Sequence, residues 1–150
     1  MVLPVTLCLA CAFVSVGALA TERIIADPNQ QLALFGYDPV AYLADGRARV
    51  GAERYEVLYE DLVWRFANEG NLESFLEAPD TFVPAFGGYD AFMIGRGSAT
   101  PGNPEIFVVV GTRVLLFRDE PARFAFNLEP EFLLARSDEI WPDVRLTLAP

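Results

Sequence analysis

An α+β fold, with small antiparallel β-hairpins packed against short helices, is predicted by three observations. Two pairs of β-prone runs are each split by a two-residue turn. The segments around them carry helix start and stop signals. The 12 Phe, 5 Tyr and 2 Trp supply enough bulk to fill a core.

In chain order, Thr21–Leu34 reads as a loosely held lead-in. Asp38-Pro39 then opens a helical turn through Val40-Ala41-Tyr42-Leu43, with Asp as cap and Pro at the first helical position. Asp45-Gly46 closes it. Arg54–Tyr59 and Leu62–Ala67 alternate apolar and polar residues around Glu60-Asp61, which predicts a hairpin. Asn68 caps a helix whose Leu72, Phe75 and Leu76 share one face, and Pro79 stops it. Gly87-Gly88 is a turn, Asp90–Ile94 a short helix and Gly95–Pro104 a loop. Ile106–Val110 and Arg113–Phe117 flank Gly111-Thr112 as a second hairpin. The unbroken apolar run Ile106–Val110 predicts a strand buried on both faces. Pro121–Leu128 and Pro130–Ile140 are expected as helices, the second with Phe132, Leu133 and Ile140 towards the core. No internal repeat, low-complexity tract or second-domain boundary is visible, so residues 21–150 are expected to form one domain.

Composition excludes much chemistry. Beyond residue 20 the chain has no His, no Lys and no Cys, and all 11 basic residues are Arg. Imidazole acid–base catalysis, a Schiff base, a thiol redox couple and a His/Cys zinc site are therefore ruled out there. Both cysteines lie in the first 20 residues, so the remainder forms no disulfide and folds on its core alone. A net charge of −10 argues against nucleic-acid phosphates and anionic lipid as partners. Met1–Ala20 is uncharged and apolar and ends in Ala18-Leu19-Ala20 before Thr21-Glu22-Arg23, the pattern of a cleaved export signal. A periplasmic or secreted protein without stable membrane insertion after cleavage is expected. The alternative is an anchor formed by residues 1–20, since about 20 apolar residues span a bilayer.

Several motifs together resemble the YHS domain family. Asp38-Pro39-Val40-Ala41-Tyr42, Arg65-Phe66-Ala67-Asn68-Glu69-Gly70-Asn71 and Phe75-Leu76-Glu77-Ala78-Pro79-Asp80-Thr81-Phe82 follow that family's order and spacing. An exported branch is more similar still, through Gly36–Tyr42, Gly87-Gly88-Tyr89-Asp90-Ala91, Pro101-Gly102-Asn103-Pro104-Glu105 and Trp141-Pro142. The resemblance implies a small metal-associated module, with a redox role in the exported branch. This sequence departs from it at the decisive positions. Ala41, Ala67 and Asn71 stand where the family carries metal-binding cysteines, and Asp90 stands where the exported branch carries cysteine or selenocysteine. Neither Ala nor a neutral amide replaces a thiolate. No metal, cofactor or catalytic residue is expected.

The candidate ligand-binding residues are Asp90, Tyr89, Tyr42, Tyr37 and Asp38. Asp90 is read as a helix N-cap or a pocket carboxylate, Asp38 likewise, and the tyrosines as pocket walls with a polar handle. Arg65 and Arg96 are read as surface ion-pair partners or as holders of a small anion. The expectation is a non-catalytic exported module binding a small molecule or an envelope protein through a pocket near Tyr42, Tyr89 and Asp90. The alternatives are a carboxylate-dependent enzyme using Asp90, and a structural accessory of an envelope complex presenting the helices between Phe124 and Phe132.

Overall fold

A computed structural model describes residues 24 to 148. The expected export signal lies outside the described residues. The elements are β1 (Ala26–Asp27), β2 (Leu32–Ala33), α1 (Ala41–Ala44), β3 (Ala52–Tyr59), β4 (Leu62–Phe66), α2 (Glu69–Glu77), α3 (Pro79–Phe82), α4 (Ala91–Ile94), β5 (Asn103–Val110), β6 (Arg113–Phe117), α5 (Glu120–Asn127) and α6 (Pro130–Thr147). They form an α+β fold with two small sheets, one ordered β1-β2-β4-β3 and the other β5-β6. Among the described residues, no helix is long and apolar enough to cross a membrane.

The predicted hairpins form, and Asn68 caps α2 by accepting the Asn71 N–H at 2.9 Å. Phe75 of α2 is fully buried. Its ring meets those of Trp64 at 5.0 Å, Phe66 at 5.2 Å and Tyr59 at 5.5 Å. Those rings fill the contact between helix and hairpin, which leaves Leu72 half-buried and Leu76 exposed. Pro79 ends α2, as expected, and starts α3 in the same step.

Two apolar faces fall elsewhere than predicted. β5 is only half-buried, and Val109 is exposed, because the two cores close over β6 and not over β5. The strand buried on both faces is β6. Its Val114 and Leu116 enter one core with Leu34, Tyr42, Trp64, Phe66 and Phe75. Its Leu115 and Phe117 enter another with Phe86, Ile94, Phe126, Trp141 and Val144. α6 runs past Ile140 to Thr147 with Pro142 inside it, and Phe132 is 62% exposed instead of core. The face of α6 turned inward holds Ser137, Trp141 and Val144. Burial of Trp141 and Val144 keeps the helix going through a proline that would end an exposed one.

Contrary to the sequence reading, the chain is built on an internal repeat. β5, β6 and α5 each begin 51 residues after β3, β4 and α2, and the paired strands have equal lengths. Both hairpins carry the same irregularity. Register slips between the Ala52↔Phe66 and Glu56↔Arg65 pairs in the first, and between Asn103↔Phe117 and Phe107↔Leu116 in the second. Each hairpin is preceded by three consecutive positive-φ residues, Leu34-Phe35-Gly36 and Phe86-Gly87-Gly88. The Gly36 carbonyl accepts Gly51 N–H, and the Gly88 carbonyl accepts Gly102 N–H. Asp38 N–H donates to Arg49, and Asp90 N–H to Thr100. Asn68 caps α2, and Asp119 caps α5 by accepting Ala122 N–H. Asp38 and Asp90 therefore occupy equivalent positions in two copies of one unit.

Candidate functional site

The positive-φ turn before each hairpin delivers a Tyr-Asp pair, Tyr37-Asp38 and Tyr89-Asp90, to the hairpin base. Both aspartates are completely buried. Asp38 Oδ1 accepts the Val40 and Ala41 N–H groups at 2.8 and 3.3 Å. Its Oδ2 accepts Ala67 N–H at 2.8 Å and the Asn71 side-chain amide at 2.6 Å. Ala41, Ala67 and Asn71, which stand where the family that the sequence resembles carries cysteines, thus all donate to one carboxylate. This set does not fit a metal. The alanines offer no side-chain donor atom, and the Asn71 amide is committed to Asp38. Among the described residues, no group of three His, Cys, Asp or Glu side chains could hold a metal ion.

Asp90 is the simpler copy. Its Oδ1 caps α4 by accepting Met93 N–H at 3.0 Å, and its Oδ2 accepts Arg118 N–H at 2.8 Å just beyond β6. The cap reading holds, and the second oxygen adds a tie between α4 and the hairpin that the sequence did not disclose. With each oxygen engaged by a backbone donor and no exposure, this carboxylate has no route to a substrate.

Tyr42 is buried. Its hydroxyl donates to the Pro104 carbonyl at 2.9 Å, and its ring meets Phe107 edge-on at 4.9 Å. Burial, then the neighbouring Tyr37, Asp38 and Glu105, pushes its hydroxyl well above the ordinary tyrosine range. Tyr37 donates to Glu105 Oε1 at 2.9 Å, and partial burial followed by that carboxylate raises its pKa too. Both tyrosines therefore hold the first repeat to the start of β5 in the second. Tyr89 is half-buried and lies against Trp141, ring centres 6.2 Å apart. The five residues are packing and hydrogen-bonding elements at two hairpin bases. Tyr42, Asp38 and Asp90 are buried in the protein interior, and Tyr37 and Tyr89 are half-buried beside them. Arg65 is an ion-pair partner, reaching Glu53 and Glu56 at 3.3 and 3.2 Å, and Arg96 stacks on Phe92 with its guanidinium 3.5 Å from the ring centre.

An open cleft of about 770 Å³ lies at the other end of the hairpins, and none of those five residues lines it. Tyr59 and Glu60 at the β3–β4 turn form one side, Thr112 and Arg113 at the β5–β6 turn another. Asp80 and Val83–Phe86, which join the repeats, form the floor with Trp141 of α6. The cleft therefore exists because two equivalent hairpin tips converge on the connecting segment. Arg113 makes a two-pronged ion pair with Asp138, 2.7 and 2.8 Å long, and its guanidinium sits 5.5 Å from the Phe86 ring centre. The hydrogen bond to Asp138 holds the Arg113 pKa above its ordinary value. Tyr59 is shifted upward by partial burial, then by the nearby charges of Glu60 and Asp80. The sequence carried no sign of this site, because its residues are turn and linker positions gathered from distant parts of the chain.

No family model, curated protein or solved structure matches this chain.

Proposed function

We propose that this protein is an exported, non-catalytic YHS-like module that binds a small ligand in the cleft between its two hairpin tips. One observation carries the reading. The buried carboxylates that could have served chemistry are occupied by backbone donors, whereas the cleft combines volume, aromatic walls and charged groups. The order and spacing of the YHS-like motifs support the family. The cluster formed by Ala41, Ala67 and Asn71 around Asp38 supports a site that has exchanged thiolates for a hydrogen-bond network. Export rests on the apolar Met1–Ala20 segment, and intact-mass analysis of protein from a native-like host is expected to show a chain beginning at Thr21.

The binding reading is tested by filling the cleft. Thr81 is exposed and lines it, so Thr81→Trp obstructs the volume without disturbing a core. Ligands found by thermal-shift screening of the parent are expected to lose their effect on this variant, while its unfolding midpoint stays near the parental one. Undiminished binding by the filled variant overturns the assignment.

A second reading, a structural accessory of an envelope complex, is favoured by one observation. Phe124 in α5, Leu128 between the helices and Phe132 in the first turn of α6 are 69%, 67% and 62% exposed. That much exposed apolar surface is a mark of contact surfaces. Replacing Phe124 and Phe132 by Ser is expected to abolish co-purification of any envelope partner and to leave cleft ligands unaffected.

A further inference from the structure

We propose that the cleft is selective for small organic cations, an amine or guanidinium carried on an aromatic or short alkyl body. This rests on the binding reading above and adds the ligand's charge and shape. The first argument is the charge of the walls. Among the described residues of the lining Arg113 is the cation, and Asp138 neutralises it through both terminal guanidinium nitrogens. Glu60 and Asp80 then leave the described part of the lining net negative. They come from different elements, the β3–β4 turn and α3, and they approach the cleft on the Tyr59 side.

The second argument is independent of charge. The lining includes the aromatic residues Tyr59, which is half-buried, and Phe86 and Trp141, which are buried at its base, and aromatic faces attract cations through their quadrupole. The molecule already uses one of them in this way, with the Arg113 guanidinium placed over Phe86. A ligand cation between the Tyr59 and Trp141 rings, facing Glu60 and Asp80, would repeat that arrangement. An anion would meet two carboxylates with Arg113 already engaged. The third argument is long-range. A chain with net charge −10 attracts cations and repels anions before contact.

Three probes sharing one body separate these terms: 2-phenylethylamine, the neutral 2-phenylethanol and the anionic 3-phenylpropionate. Binding is read by calorimetry and by the shift of the Trp141 indole N–H resonance. The amine is expected to bind about tenfold more tightly than the alcohol, from cation–aromatic attraction and charge together. The propionate is expected to show no binding. Glu60 and Asp80 are exposed, so Glu60→Gln combined with Asp80→Asn keeps the fold. That double change should weaken the amine about fivefold and leave the alcohol unchanged. Added salt should weaken the amine alone. Equal affinity for amine and alcohol, or an amine affinity unmoved by the double change, overturns the cation assignment and leaves the binding cleft in place. If no probe shifts Trp141, the cation assignment falls, and the Thr81→Trp screen then decides the cleft itself.

Discussion

Asp38 and Asp90 hold equivalent places in the two repeats, yet they do unequal amounts of structural work. Asp38 takes four hydrogen bonds and Asp90 two. Removing a buried acceptor leaves its donors unsatisfied, so Asp38→Ala is expected to cost about 3 kcal/mol or more and Asp90→Ala about 2 kcal/mol. Asparagine rescues neither fully. It keeps one acceptor oxygen but turns its own N–H₂ towards Ala67 and Asn71 in one case and towards Arg118 in the other. Urea unfolding of the four variants checks both the order and the failure of asparagine; equal stability of the two alanine variants would contradict the unequal networks. The cap role of Asp90 was legible because Asp before a short apolar run is a local signal. Its second bond, and the Asp38–Asn71 contact, join residues far apart in sequence and left no local trace. Tyr42 supplies a pH test. Its pKa is raised in the folded protein, so folding binds its proton more tightly than the unfolded chain does. The corresponding stability is complete below the ordinary tyrosine pKa and is lost as pH rises above about 10. Urea midpoints between pH 8 and 11.5 should fall at the alkaline end, and less steeply in Tyr42→Phe.

At the level of elements, the hairpins and most helix starts were readable from alternation, turn residues and caps. The inward faces were less so. Ile106–Val110 is the most apolar run of its hairpin, but burial on both faces depends on what lies beside a strand, and β6 rather than β5 lies between two cores. Likewise Phe132 looked like a core residue, while the contact between α6 and α4 is made by Ser137, whose hydroxyl donates to the Ala91 carbonyl at 2.7 Å. A helix seated that closely needs a small side chain at the contact, and Phe132 is left outside. Steric limits are equally strict at the hairpin bases. A Cβ on Gly51 would stand 2.5 Å from the Arg65 carbonyl carbon, and one on Gly102 2.5 Å from the Gly88 carbonyl oxygen. Gly51→Ala and Gly102→Ala are each expected to destabilise by about 3 kcal/mol. Gly97→Ala, with positive φ but nothing within 4 Å, should cost only about 1 kcal/mol. Thermal and urea denaturation of the three variants tests that ranking; a Gly97 variant as damaged as the others would refute the steric account.

At the scale of the whole molecule, the repeat escaped the sequence because so few identities survive in it. Gly-Tyr-Asp recurs at Gly36–Asp38 and Gly88–Asp90, Phe66 and Phe75 recur as Phe117 and Phe126, and Gly51 and Pro79 as Gly102 and Pro130. Most of these residues make a backbone turn or fill a core, so what was retained is geometry. The intervening positions diverged, which is why the hairpin tips present different groups to the cleft they share. Duplicated units of this kind often come apart one at a time, but β6 forbids it here. Val114 and Leu116 belong to the core of the first repeat, Leu115 and Phe117 to that of the second, so neither half can open without stripping one face of the same strand. The amide protons of Val114–Phe117 should therefore exchange with deuterated water only as fast as the entire protein unfolds, whereas those near the hairpin tips exchange through local opening. Two repeats in architecture would then behave as one unit in time.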